Sequence, residues 1–365
     1  MRPKRLISLL VAVCMMITML PLSAVTAFAA DTSTVHEAND GDGIYKYAYT
    51  VNAENGTATI TKFLGPVDPA NNGPYDIEIP TELDHHPVTG LGEYSFSGTY
   101  SPDHQTNHNL ISFCNQIQSV TIPESVTSIG KSAFEHCSKL DSLTIKGVAT
   151  SIGAYAFASC TSLTSLSLVG SFQTIGDSAF VNCGMTSLTI DATITSIEKY
   201  AFSSRFLTSL SLTGNVQKIG DHAFDSCSSL NTVTFPKSPT SIGSYAFDSC
   251  TSLNSIEIPG TVTEIGDCAF YHCSGLTSVK IDEGVQSTGA DMFNDCGQLT
   301  TVTFPESLTT IADGSFASCS NLNHVKIPAR VTCIGDSAFS NCTSLSEITL
   351  QDGVKTIGAN AFFSC

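Results

Sequence analysis

The chain has 365 residues, 14 of them Cys and none Trp, with 33 Asp and Glu against 16 Lys and Arg, a formal net charge of −17. A surface this acidic repels nucleic acid and anionic membranes, so neither is expected as a partner. Its plainer role is to keep a long chain soluble.

Residues 1–30 read as a secretory signal peptide. Arg2, Lys4 and Arg5 precede an apolar run from Leu6 to Leu20, and Ala27-Phe28-Ala29 supplies a small-x-small cleavage site. A retained anchor would need about 20 apolar residues, and no second span follows, so no membrane insertion is expected after cleavage. Cys14 follows Val13 rather than a small residue, so it belongs to the leader and not to a lipoprotein site. The leader holds three of the basic residues and none of the acids, which leaves the mature chain near −20.

Residues 31–113 are expected to form an N-terminal cap. Asp31 to Gly43 is polar and Gly-rich; it lacks the spaced ligands of a calcium loop and reads as a linker. Tyr45 to Val51 and Thr57 to Phe63 alternate around Asn55-Gly56, the pattern of a β-hairpin. Asp76 to Phe96 is a lengthened, degenerate repeat able to cover a first coil. Gly98 to Asn109 is an insertion loop. It holds Asp103, His104 and His108, but nothing places the two His on one face, and loop polarity accounts for them without a metal.

From residue 114 to 365 a single unit repeats. Its Phe recurs at Phe134, Phe157, Phe180, Phe202, Phe224, Phe247, Phe270, Phe293, Phe316, Phe339 and Phe362, in steps of 23 residues except for two of 22. Cys114 opens the series. A Cys then follows each Phe by three residues at Cys137, Cys160, Cys183, Cys227, Cys250, Cys273, Cys296, Cys319, Cys342 and Cys365; Arg205 is the exception. A fixed period of this length marks a repeat solenoid. Leu166-Ser167-Leu168 alternates like a half-buried strand, whereas Phe172, Ile175, Gly176, Ala179 and Phe180 are spaced like a turn of α- or 3₁₀-helix. The expected fold is an α/β solenoid. Each of eleven copies would give a parallel strand and a short helical return, stacked over roughly 50 Å. The chain stops one residue into the next unit without a polar terminal repeat, so further repeats or another domain are expected beyond it.

Leu253-x-x-Ile256-x-Ile258-Pro259, Val262-x-x-Ile265-Gly266 and Ala269-Phe270-x-x-Cys273 resemble the BspA-like leucine-rich repeats of bacterial and protist surface proteins. The resemblance covers about two thirds of the chain and recurs in register. It implies a secreted or cell-surface location and attachment to host matrix or neighbouring-cell proteins. One departure is that the Cys comes before the strand rather than after it. A plain parallel β-helix therefore stays open as an alternative, which a helical Ala-Phe segment would exclude.

Stacked column cysteines would sit about a strand spacing apart, whereas a disulfide wants Cβ atoms at about 3.8 Å, so a file of buried reduced thiols is expected. Cys268 and Cys333 lie outside the file. No Cys-x-x-Cys, Gly-x-Ser-x-Gly, phosphate-binding Gly loop or His-Glu-x-x-His occurs, so no enzyme, metal or cofactor is expected. His136 and His272 each precede a column Cys, a recurring place that tolerates surface residues.

The residues of each strand that point away from the core come in pairs. They are Ser119/Thr121, Ser142/Thr144, Ser165/Ser167, Ser187/Thr189, Ser209/Ser211, Thr232/Thr234, Ser255/Glu257, Ser278/Lys280, Thr301/Thr303, His324/Lys326 and Glu347/Thr349. The first six pairs are all hydroxyls, as β-propensity alone would select. Charge and imidazole begin at Glu257, so Glu257, Lys280, His324, Lys326 and Glu347 are the candidate contact residues. Aromatic anchors are missing from this face, which points to weak multivalent contact. Tyr155, Tyr200 and Tyr245 each precede an Ala-Phe pair; they read as an aromatic stripe off the strand face or, the commoner explanation for Tyr, as packing against neighbouring loops. The expected function is a protein-binding or adhesion module. The alternative is a spacer presenting a C-terminal domain, an enzyme or a wall anchor. Ice binding by the hydroxyl rows ranks last.

Overall fold

The computed structural model describes residues 34–97, 113–235 and 239–365. Residues 1–30, read as a leader, and the segment bearing Asp103, His104 and His108, read as an insertion, lie outside the described residues. Part of the segment read as a linker instead forms the strand Val35–Asn39. The turn after it is closed by Asp40, whose carboxylate accepts from the amides of Ile44 (2.7 Å) and Tyr45 (3.1 Å). The Asp-Gly pairs of that turn mask the alternation in the sequence. Tyr45–Val51 and Ala58–Pro66 pair antiparallel, Tyr45 opposite Pro66 and Val51 opposite Ala58. Ala58–Pro66 then runs parallel to His86–Leu91 and so joins the solenoid.

The rest of the chain is a parallel β-solenoid of about ten turns. Two ladders run along it. The first contains Ile117–Ile122, Ser187–Ile190, Ser255–Ile258 and their equivalents. The second contains Ser128–Ile129, Thr193–Ile197, Val216–Ile219 and theirs. Ser142–Ile152 and Ser165–Ile175 are long enough to belong to both. From Ile117–Ile122 onward the first ladder pairs in register: Ser187 faces Ser209, Leu188 faces Leu210 and Ile190 faces Leu212. Strand alternation therefore turns Leu188, Ile190 and their counterparts inward and leaves the hydroxyls outside.

The helical returns are absent. Among the described residues helical backbone is confined to Phe113 and Cys114, so the α/β class gives way to an all-β solenoid. The apolar spacing that mimics a helix is produced by a turn containing two left-handed residues, such as Tyr155 (φ 57°) and Ser159 (φ 58°). Between them the amides alternate in direction. Those of Tyr155, Phe157 and Ser159 donate to Asp177, Ala179 and Val181 of the next coil at 2.8–2.9 Å. Those of Ala156, Ala158 and Cys160 donate three residues back, at 3.3, 3.0 and 3.4 Å. A helix would spend every amide within its own turn. Here half of them form a third coil-to-coil ladder.

This turn inserts Phe into the interior. Phe134 through Phe316 are all buried and stacked in one file, ring centroids 5.1–5.7 Å apart. The file continues above to Phe96 and below to Phe339 and Phe362. Coils approach so closely that a Cβ on Gly243 would lie 2.5 Å from the Asp221 amide nitrogen. Part of the acidity also acts here. Asp221, Asp267, Asp313 and Asp336 accept the amides of Ser244, Ala290, Asp336 and Ala359, each in the following coil, at 2.7–3.1 Å.

Phe247 sits mid-file. Phe247→Ala is expected to cost about 3–5 kcal/mol in urea unfolding. The exposed Phe206 serves as control: Phe206→Ala is expected to change stability by less than about 1 kcal/mol.

Candidate interaction face

On the first ladder the inward positions belong to the core, except for the exposed Leu350 of the last strand, and the ladder hydrogen bonds engage the backbone. The side chains left open to solvent there are the outward pairs. Their files are straight: Ser119, Ser142 and Ser165 are register neighbours, as are Thr121, Thr144 and Ser167. At the head of the first file Ser119 Oγ donates to the Asp76 carboxylate at 2.5 Å, in the degenerate repeat.

The five candidate residues fall into two groups. Glu257 faces Lys280 in register, and the Lys280 ammonium lies 2.5 Å from Glu257 and 2.9 Å from Asp282. Glu257 and then Asp282 hold the Lys280 ammonium well above its usual range, so its charge is already matched within the face. The second group is His324, Lys326 and Glu347. His324 faces Glu347 and Lys326 faces Thr349, all in adjacent strands. His324 Nδ1 lies 2.5 Å from Asn323 Oδ1. Among the described residues no carboxylate pairs with Lys326, which is exposed. The coil carrying Thr301 and Thr303 separates the groups, placing them roughly 10 Å apart.

The turn face holds the aromatic residues singled out in the sequence and one imidazole that is not, His222. Tyr155 and Tyr245 are 41% and 36% exposed, so they are not packed away against loops. His222 lies between Tyr200 and Tyr245, with ring centroids at 4.6 and 4.9 Å, and its Nδ1 meets Asp225 at 2.8 Å. The readable signal is position: His222 is also two residues before a Phe. His136 and His272 occupy the second left-handed site, and His272 Nδ1 lies 2.6 Å from Asp295. Among the described residues no cluster of His, Cys, Asp and Glu could hold a metal, and no helix is long and apolar enough to cross a membrane.

The cysteine file is largely thiol, with one correction. Cys114 and Cys137 form a disulfide, their Cα atoms 5.0 Å apart. The expectation of thiols throughout rests on Cβ separation, but this Cα spacing lies inside the range that disulfides adopt. Cys268 is buried beside Tyr245, and Cys333 is half-buried on the second ladder.

These features define a leucine-rich-repeat solenoid with a polar outward ladder. The chain belongs to the family described as BspA type leucine rich repeat region, whose model matches residues 102–206, 195–323 and 240–365. Among solved structures it is similar to a leucine-rich repeat protein from Bacteroides ovatus. Identity there is 25%, over 87% of this chain and 90% of that one, with a TM-score of 0.48. A leucine rich cell surface protein from Faecalibacterium prausnitzii is 27% identical over 88% of this chain and 96% of its own, with a TM-score of 0.38. The pneumococcal vaccine antigen PcpA is 15% identical over 90% and 85%, with a TM-score of 0.41. No curated protein matches the chain.

Because all these groups are exposed, Lys280→Ser, His324→Ser and Lys326→Ser are each expected to leave the melting temperature and circular dichroism unchanged. A lowered melting temperature in any of them would show that it supports the fold.

Proposed function

We propose that the chain is a surface-displayed binding module that engages a protein ligand along its first ladder, and that it is not an enzyme. Membership of the BspA-type family supports display at a cell surface, as does the leader pattern of residues 1–30. The observation that carries the reading is the change along the outward pairs. They are hydroxyls through Thr232/Thr234 and then present Glu257, Lys280, His324, Lys326 and Glu347 within five adjacent coils. Regular strands hold these groups at fixed intervals, which lets weak contacts add along an extended partner.

The two groups do not contribute equally. Lys280 is matched by Glu257 and Asp282, so a partner must displace them to reach it. Lys326 has no such competitor among the described residues. An acidic segment of a host matrix or cell-surface protein is the ligand chemistry this favours.

The test is a pull-down on immobilised host matrix proteins. The triple variant Lys280→Ser, His324→Ser, Lys326→Ser is expected to lose at least about tenfold in affinity. Lys326→Ser alone is expected to lose more than Lys280→Ser alone. Binding unchanged in the triple variant would remove these residues from the contact.

A further inference from the structure

The file of column cysteines is not uniform, and its irregularities dictate partners. Cys137 Sγ lies 3.4 Å from the Phe96 carbonyl oxygen. The free thiols from Cys160 to Cys365 occupy the equivalent place, donating to the carbonyl of a Phe in the preceding coil at 3.1–3.5 Å. The bonded Cys137 and the free thiols thus share one side-chain orientation. The coils on either side of Cys160 are bonded alike: the residue before the column Cys donates its amide to the next coil, His136 to Ala158 at 2.9 Å and Ser159 to Val181 at 2.8 Å.

Cys160 has two neighbours in the file, Cys137 and Cys183. Cys137 is already joined to Cys114. Cys183 has Cys160 on one side and, on the other, the coil in which Arg205 replaces the cysteine. Arg205 points out to solvent, and the buried Ser204 fills the interior, donating its hydroxyl to the Cys183 carbonyl at 2.8 Å. Cys160 and Cys183 are therefore each other's only available partner in the file.

We propose that Cys160 and Cys183 form a second disulfide between adjacent coils when the chain folds under oxidising conditions. One glutathione disulfide is consumed. The two thiols give up two protons and two electrons; one S–S bond forms in the chain, and the oxidant's S–S bond breaks to release two glutathione molecules. The Phe134 and Phe157 carbonyls that lose a thiol donor keep the amides of Cys137 and Cys160. Burial pushes the Cys183 thiol up to about 12 and raises Cys160 as well, so little thiolate exists once the coils have closed. The bond therefore forms as the coils stack, and it should be sought by refolding.

The chain is refolded from denaturant and full reductant into a glutathione–glutathione disulfide buffer, then trapped with N-ethylmaleimide under denaturing conditions. Digestion with an Asp-specific protease cuts at Asp177, between the two residues, and mass spectrometry reads the linked peptides. A Cys160–Cys183 link beside Cys114–Cys137 is the expected result. Cys160 and Cys183 both recovered as alkylated thiols, with Cys114–Cys137 present, would overturn the proposal. So would either residue linked elsewhere.

Discussion

The structure depends on the amides of the Ala-Phe turn that point along the stack instead of back into the turn. Two left-handed residues in most coils, and Tyr200 alone in its own, set that direction. Outside glycine such a conformation costs about 1–2 kcal/mol per residue. It is repeated from Ser132 and His136 to Asn360 and Ser364. An interior coil such as that of Tyr155 to Ser159 offsets it with three coil-to-coil hydrogen bonds, a buried Phe and a ring stacked on both sides. None of these gains exists for an isolated coil. The turn is therefore stable only in company.

The proposed binding and the fold use different sides of that stack. The turn face and the second ladder are spent on holding coils together, through backbone bonds, the Phe file and the Asp carboxylates that accept the next coil's amides. The first ladder is satisfied by its own register, and its outward side chains take no part in the Phe file or the turn's coil-to-coil bonds. The change from hydroxyls to charged groups after Thr234 lies among them. It also divides the acidic charge of the chain. Asp221, Asp267, Asp313 and Asp336 are structural, while Glu257 and Glu347 stand on the open face.

Side-chain identity at a fixed step makes much of this legible. The Phe and Cys periods announce the stack, and alternation in Leu166-Ser167-Leu168 assigns inside and outside. The return is misread because apolar intervals of three, four and one suit both a helix and this turn. Backbone sign is the missing information, though a clue exists. The left-handed sites hold Asn182, Asn341, Asp291, Asp295, His136, His222 and His272, the types that adopt this conformation most readily after glycine. The candidate contact residues can be placed on one face from alternation. Their partition cannot, because Asp282 reaches Lys280 from just beyond the end of the same strand.

The central claim is most directly tested by residue-resolved native-state amide hydrogen exchange through one turn, Tyr245 to Cys250. The amides of Tyr245, Phe247 and Ser249, bonded to the next coil at 2.8–3.0 Å, are predicted to exchange slowest. Those of Ala246, Asp248 and Cys250, bonded within the turn at 3.1–3.4 Å, are predicted to exchange faster. Uniform protection across all six, as a helical return would give, would contradict the account.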